Sequence, residues 1–426
     1  MSELFVLATV AATALALAAV RLGVWAGLAS IAAMFAYLAV GGRQVLLKDV
    51  PYIGDVALSA TPDKLPFIAV SLVLGLLVTA YAPRYLHHLR ADRWYYAVNS
   101  LYVLSFAWIV MFENLAFVFL ALELSIITSF LLIWYFGYGN RRVVALLYFI
   151  WAQVGSILFL VGAAMAQSFD AAAFKAYGTA ALLVLVGLLV KMGTLGVHFW
   201  LPYAHAEAPT PLSALLSPVH VGLMAYWIWR LKAGADWPLE ALYLYGLLTA
   251  IYGSLLVFRE VDIKRALADS TIANMGLLAA AASIRGDFGY WATALLFTAH
   301  AFAKAAGFML SGIYIVQLHT RQIDQLAWDR KMLALGVLAF VALSGVFGLG
   351  LVGKIYVALG VPHSTTAVGL LIAALFSTAL YNFYLFNRVY RAGAGEVKAP
   401  GDMYYASLAS AAMPYVLLAA LPWLLH

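Results

Sequence analysis

Cysteine is absent from all 426 residues. With no thiolate to offer, the chain holds no disulfide and no cysteine-ligated iron–sulfur cluster of its own. Charge is the second scarcity. Asp, Glu, Lys and Arg make up 10% of the chain, against about 25% in a typical soluble domain. No polar stretch is long enough to fold separately, so an ordinary soluble domain is excluded. Carboxylates are the scarcest charges, 19 against 25 Lys and Arg, for a net charge of +6.

What the chain has instead is apolar length. It is 65% hydrophobic, and its apolar runs exceed the ~9–11 residues of a membrane barrel strand. The expected fold class is an all-α polytopic membrane protein, a single transmembrane domain over residues 1–426. The positive surplus then belongs to loops on one side of the membrane, and no nucleic-acid partner is expected.

With ~20 residues needed to span a bilayer, the chain divides into about fourteen transmembrane helices. The first two lie near Leu4–Val20 and Val24–Val40, and a polar, proline-containing loop follows over Gly41–Pro66. The next are near Phe67–Ala82, Tyr95–Met111, Leu115–Phe136, Val143–Met165, Ala180–Leu195, Ser213–Trp229, Leu239–Val257, Thr271–Ile284 and Tyr290–Ile315. The twelfth runs from Met332 through G-V-F-G-L-G-L-V-G-K to Leu359, and the last two are near Val368–Phe386 and Tyr404–Leu425. No basic n-region precedes the first run, so a retained helix is expected rather than a cleaved signal.

Lys and Arg test this count. Loops after odd-numbered helices hold Arg21, Arg84, Arg90, Arg93, Arg141, Arg142, Arg259, Lys264, Arg265, Arg321, Arg330, Lys331, Arg388, Arg391 and Lys398, fifteen in all. Loops after even-numbered helices hold seven: Arg43, Lys48, Lys64, Lys175, Arg230, Lys232 and Arg285. The richer side is expected in the cytoplasm, with both termini external.

Three lysines remain, Lys191, Lys304 and Lys354, each inside an expected helix. Among the carboxylates only Glu123 reads as mid-membrane, and His220 and His300 are the intramembrane histidines. His300 and Lys304 are four apart and share a helix face. A lysine at the bilayer centre costs about 2.5–3.5 kcal/mol on insertion scales. Lys191 ends an apolar run that breaks into G-T-L-G-V-H-F-W-L-P, and a broken helix must line a cavity or be covered by protein. Cost and break together point to an ion or proton path.

Plainer readings exist. A lysine near a helix end can snorkel to the headgroups, which applies to Lys191 and above all to Lys354. Lys304 can be a structural pair, Glu123 a neutral hydrogen-bonded acid, and His220 a packing histidine. A bis-histidine haem on His220 and His300 is disfavoured because a lysine shares the face of His300. No metal ligand set is read.

The segments F-V-F-L-A-L-E-L-S-I-I-T-S-F-L-L-I, V-K-M-G-T-L-G-V-H-F-W-L-P-Y-A-H-A-E-A-P-T-P-L-S-A-L-L-S, D-I-K-R-A-L-A-D-S-T-I-A-N-M-G and H-A-F-A-K-A-A-G-F-M-L occur in this order. In order and spacing the chain resembles the antiporter-like membrane subunits shared by respiratory complex I, membrane-bound hydrogenases and Mrp-type sodium/proton antiporters. The resemblance covers roughly Glu113 to Lys354. It implies two inverted five-helix repeats, helices 4–8 over residues 95–232 and helices 9–13 over 239–386, with helices 7 and 12 broken. It also implies a proton or ion path through Glu123, Lys191, His220, His300, Lys304 and Lys354. Three features depart from the pattern. The eighth-helix lysine of many relatives falls at Gly222, with His220 half a turn earlier. Gly196 stands for a usual proline. The usual Pro-Pro-X-X-Gly-Phe is replaced by a region with Gly348, Gly350 and Gly353.

The function implied is translocation of protons, with or without exchange for sodium, as one member of a redox-driven complex. Alternatives are membership of a stand-alone Mrp-type antiporter, or a structural membrane role in which the relay has decayed. No cofactor is expected in this chain; iron–sulfur, flavin or nickel–iron centres would sit in peripheral redox partners. Further antiporter-like subunits, small hydrophobic subunits and lipid complete the implied partners, in the plasma membrane of a prokaryote. A chain of about fourteen helices is also expected to lack the long lateral helix of the largest subunit type.

Overall fold

The computed structural model describes residues 43–88, 93–391, 393, 395 and 397–424. The two helices expected near Leu4–Val20 and Val24–Val40 lie outside the described residues. The first described elements are not helical. Alternating side chains in R-Q-V-L-L-K-D-V and G-D-V-A-L-S form an antiparallel hairpin, β1 (Arg43–Val50) and β2 (Gly54–Ser59). This corrects the purely helical expectation and the reading of Gly41–Pro66 as a loop. Val56, Ala57 and Leu58 of β2 are buried, and the Glu113 amide donates to the Ala57 carbonyl at 3.0 Å.

The rest is helical: α1 (Leu65–His88), α2 (Arg93–Met111), α3 (Leu115–Phe136), α4 (Arg141–Met165), α5 (Thr179–Met192), α6 (Leu201–Glu207), α7 (Thr210–Leu215) and α8 (Leu223–Leu231). Then come α9 (Leu239–Val257), α10 (Ile263–Ser283), α11 (Gly286–Leu318), α12 (Arg330–Ser344), α13 (Leu349–Leu359), α14 (Thr365–Arg391) and α15 (Gly401–Leu424). Among the described residues, ten helical segments are long and apolar enough to cross a membrane, and α5 is a shorter apolar helix. In the segment Thr210–Gly234, 94% of the most apolar window is buried, and in Gly286–Leu318 83%, against 28% for Gly401–Pro422. The α7–α8 segment and α11 are therefore central, and α15 is peripheral.

Small residues set the closest approaches. A Cβ at Gly187 would meet the Gly155 carbonyl and Phe159 amide at 2.7 Å, so α4 and α5 pack backbone to backbone. Such contacts replace the hydrophobic drive that water would supply.

Of the lysines assigned above to loops, Lys64 and Lys264 are buried and Lys232 is half-buried. Lys64 donates to Ser59 Oγ at 2.6 Å, Lys264 to the Ala208 carbonyl, and Lys232 to the Ala282 and Ile284 carbonyls. They satisfy free oxygens at element ends, where a cation is favoured.

Candidate functional site: a buried polar axis

The stretch after α5 breaks because Gly193 takes a left-handed conformation, φ +64°, that a side chain resists. The freed backbone does not go unpaired. Tyr245 of α9 donates to the Leu195 carbonyl at 2.6 Å, and the Trp200 indole donates to the Val190 carbonyl at 3.3 Å. Lys191 lies in the last turn of α5, at the negative end of its dipole. It is 2% exposed and its Nζ has no hydrogen-bond partner. Its stem runs along Gly155 of α4, where a Cβ would meet Lys191 Cγ at 2.8 Å.

Glu123 of α3 is within electrostatic reach of Lys191, but no ion pair within 4 Å joins them. Its Oε2 accepts from Gln153 of α4 at 2.5 Å, and its Oε1 is buried without a partner. A carboxyl and an amine are thus held near each other without a direct contact. At an effective dielectric near 20 a contact pair at 4 Å is worth about 4 kcal/mol. Making or breaking such a pair shifts proton affinity by a few units at ~1.4 kcal/mol each.

His220 closes a π-helical turn, Leu216–His220, between α7 and α8. Pro218 within that turn has no N–H to donate, which favours the wider winding. His220 is 2% exposed and shares a hydrogen bond with the Tyr102 hydroxyl at 3.2 Å through Nδ1. It is within electrostatic reach of Lys191. Gly222 faces the Phe297 ring, which a Cβ would meet at 3.1 Å. A lysine has no room there, and the histidine sits where there is room.

The structure brings in His205 of α6, which the sequence reading leaves unassigned. It is fully buried, and both ring nitrogens lack a partner. It is within electrostatic reach of both His220 and Lys304, so it bridges the two ends of the axis. Its only signal in the sequence is its place in the L-P-Y-A-H-A-E segment of the helix break.

Lys304 of α11 is fully buried and donates to the Leu267 carbonyl at 3.0 Å and to Ser270 Oγ, both on α10. His300, one turn earlier, has both ring nitrogens buried and unpartnered. Asp269 of α10 also faces this region and is 1% exposed, a second buried acid beside Glu123. α10 begins at Ile263, not near Thr271 as expected, so Asp269 lies six residues, about 9 Å, inside it.

Lys354 stands apart from these charges. It sits on α13, beyond a second break at Gly345, φ +59°. Its Nζ reaches back to the Ser344 carbonyl at 2.6 Å, at the end of α12, and to Thr378 Oγ1 at 3.1 Å. Lys191 thus lies in the last turn of one half-helix, and Lys354 reaches back to the C-terminal end of another. Among the described residues, no group of three or more His, Asp or Glu side chains is arranged to hold a metal ion.

Residues 113–381 match the family described as NADH:quinone oxidoreductase/Mrp antiporter, TM. The chain is 26% identical over 337 residues to NAD(P)H-quinone oxidoreductase chain 4 1 of Picosynechococcus, covering 69% of this chain and 62% of that protein. It is 30% identical over 346 residues to a probable K(+)/H(+) antiporter protein of Rhizobium meliloti, covering 75% of this chain and 34% of that one. The chain thus spans less than two thirds of the length of these relatives. The fold is that of a chain in the Mrp complex from Dietzia, with TM-score 0.83 at 18% identity and coverage of 99% and 92%. It is equally that of a chain in the membrane-bound sulfane sulfur reductase, an archaeal respiratory membrane complex, with TM-score 0.83, 20% identity and coverage of 99% and 93%. With more than half its length matched, the chain is an antiporter-like membrane subunit and belongs to the NADH:quinone oxidoreductase/Mrp antiporter transmembrane family.

Proposed function

We propose that this chain translocates protons, alone or in exchange for sodium, as one membrane subunit of a redox-driven complex. The observation that carries the reading is Lys191: buried, without a hydrogen-bond partner, at the end of a broken helix and near Glu123 without pairing to it. An ammonium so placed is costly unless its proton or its partner moves. The path proposed runs from Glu123 and Lys191 through His220 and His205 to Lys304 and His300, and leaves by Lys354. Two inverted repeats, 95–232 and 239–386, would place the breaks at Gly193 and Gly345 in corresponding positions. Redox centres would sit in peripheral partners, since a chain without cysteine has no thiolates for a cluster. The arginine-rich face would lie in the cytoplasm, with both termini outside.

The test is Lys191→Ala and Glu123→Ala in the intact complex, measuring ion movement and electron transfer together. Loss of ion movement with part of the electron transfer retained is the expected result, and unchanged pumping in both variants overturns the proposal.

The resemblance to an Mrp complex and a relative named for K(+)/H(+) antiport support a second reading, membership of a stand-alone cation/proton antiporter. Mass spectrometry of the complex drawn intact from native membranes separates the two. Cysteine-rich redox chains travelling with this protein support the first reading, and small hydrophobic chains alone support the second.

A further inference from the structure

Beside the axis, a cavity of about 220 Å³ opens between the α5–α6 break, α9 and the first turns of α10. Its lining includes exposed Arg259, half-buried Glu260, Arg265 and Tyr252, and buried His198 and Asp269. At ~30 Å³ per water molecule it has room for several waters. Arg259 is exposed and pairs with Glu260 at 3.6 Å, so the cavity reaches the surface at Arg259.

Asp269 is the residue a structural reading explains only in part. A buried carboxyl kept for stability is hydrogen-bonded or paired. The Asp269 carboxyl shares a hydrogen bond with Glu260, but its Oδ1 is buried with no partner, and no ion pair among the described residues includes Asp269. Four charged groups face it: Glu260, Arg259 and Arg265 on the cavity side, and Lys304 on the other. Lys304 bonds to Leu267 and Ser270, the α10 residues on either side of this acid. Asp269 thus stands between a water-sized cavity and a lysine of the axis.

We propose that Asp269 is the proton-loading carboxyl of an inlet to the axis, taking protons from water in this cavity and delivering them to Lys304. The inference rests on the translocation reading above. In the loading step a hydronium in the cavity gives its proton to the carboxylate and becomes water. In delivery the acid O–H breaks as an N–H forms on the neutral Lys304 amine, directly or across one water, leaving carboxylate and ammonium. The ammonium has three donors. Leu267 and Ser270 accept two, and the third is left for the side from which the proton came.

The experiment uses the full chain in its native complex, reconstituted in vesicles, with proton uptake followed across a pH series. Asp269→Asn keeps the shape and removes the proton carrier. Uptake is expected to fall ~100-fold, the lower range for a positioned proton-transfer group, and to lose the pH dependence of the wild type. Asp269→Glu is expected to restore both. Infrared difference spectra on a pH jump give a second readout that does not need the amide variant to assemble. A protonated-acid band of the wild type should move in frequency in Asp269→Glu, and an unmoved band overturns the proposal. Wild-type uptake and pH profile in Asp269→Asn also overturn it. Lys191→Ala run alongside separates the two failures. If Lys191→Ala abolishes uptake while Asp269→Asn does not, the inlet is wrong and the axis stands. If neither changes uptake, the translocation reading fails.

Discussion

Lys191 Nζ, Glu123 Oε1, Asp269 Oδ1 and both ring nitrogens of His205 and His300 are buried without hydrogen-bond partners. Each orphan costs about 1–3 kcal/mol in desolvation. These lie among charged neighbours. Water or a transferring proton can satisfy them there. His205 is the sharpest case, because its neighbours His220 and Lys304 belong to different parts of the chain and it touches aromatic rings rather than acceptors. His205→Gln removes a group that can hold and release a proton and leaves no former partner unsatisfied. Ion movement should fall ~100-fold with the thermal unfolding midpoint little changed. A fallen midpoint with transport intact would assign His205 to packing. Glu123, Lys191, Lys304 and Lys354 were legible because a charge inside an apolar run stands out. His205 was not, because a break rich in aromatics gives no cue to which residue turns inward. Asp269 was hidden by a boundary set eight residues too late, where the charged start of α10 looked like loop.

Elements were legible where the chain marks their ends. α3 starts after Asn114, whose side chain caps the Ala116 amide at 3.1 Å, and its expected and observed bounds coincide. α9 coincides likewise. The glycine-rich stretch of the twelfth helix announced an interruption, but the reach of Lys354 back across it to Ser344 needed the fold. That reach gives a prediction. Ala at Gly345 must adopt a left-handed conformation, costing about 1 kcal/mol or more, and its Cβ would meet Lys354 Cε at 2.7 Å. Gly345→Ala should therefore lower both the unfolding midpoint in detergent and the rate of ion movement. Gly369→Ala on α14 meets nothing within 4 Å and serves as the control, leaving ion movement unchanged and the midpoint unchanged or slightly raised, as Ala suits a helix better than Gly. Equal losses in the two variants would show that the break does not hold Lys354.

At the scale of the molecule, the hairpin was the part that apolar periodicity could not reveal, since its strands are short and carry Arg43, Lys48 and two aspartates. It is fastened by charge as much as by burial. Arg43 pairs with Glu113 at 2.6 Å, and buried Lys64 lies 3.9 Å from the same carboxyl. Burial pushes the Glu113 carboxyl up, but the hydrogen bond from Arg43, helped by Ser59 and Lys64, outweighs it and holds the group below its ordinary value. Burial pushes Lys64 down to about 8 against the pull of Glu113. The two groups act at opposite ends of the pH scale. The docked hairpin binds fewer protons than the free one wherever a docked value lies below the free value, and there docking strengthens as pH rises. For Lys64 that window runs from about 8 to its free value near 10.4. For Glu113 the contribution is complete above its free value of about 4.3 and is lost as pH falls through the docked value. The hairpin should hold at neutral pH, tighten in alkali and release in acid. A chain without cysteine allows a direct measurement: spin labels at Tyr52→Cys and Tyr177→Cys, both exposed, report the distance from the hairpin tip to the loop before α5. The distance distribution should broaden as pH drops below about 4, and Glu113→Gln should broaden it already at neutral pH. A distribution that stays narrow in acid and in the variant would mean that burial of Val56, Ala57 and Leu58 alone holds the hairpin in place.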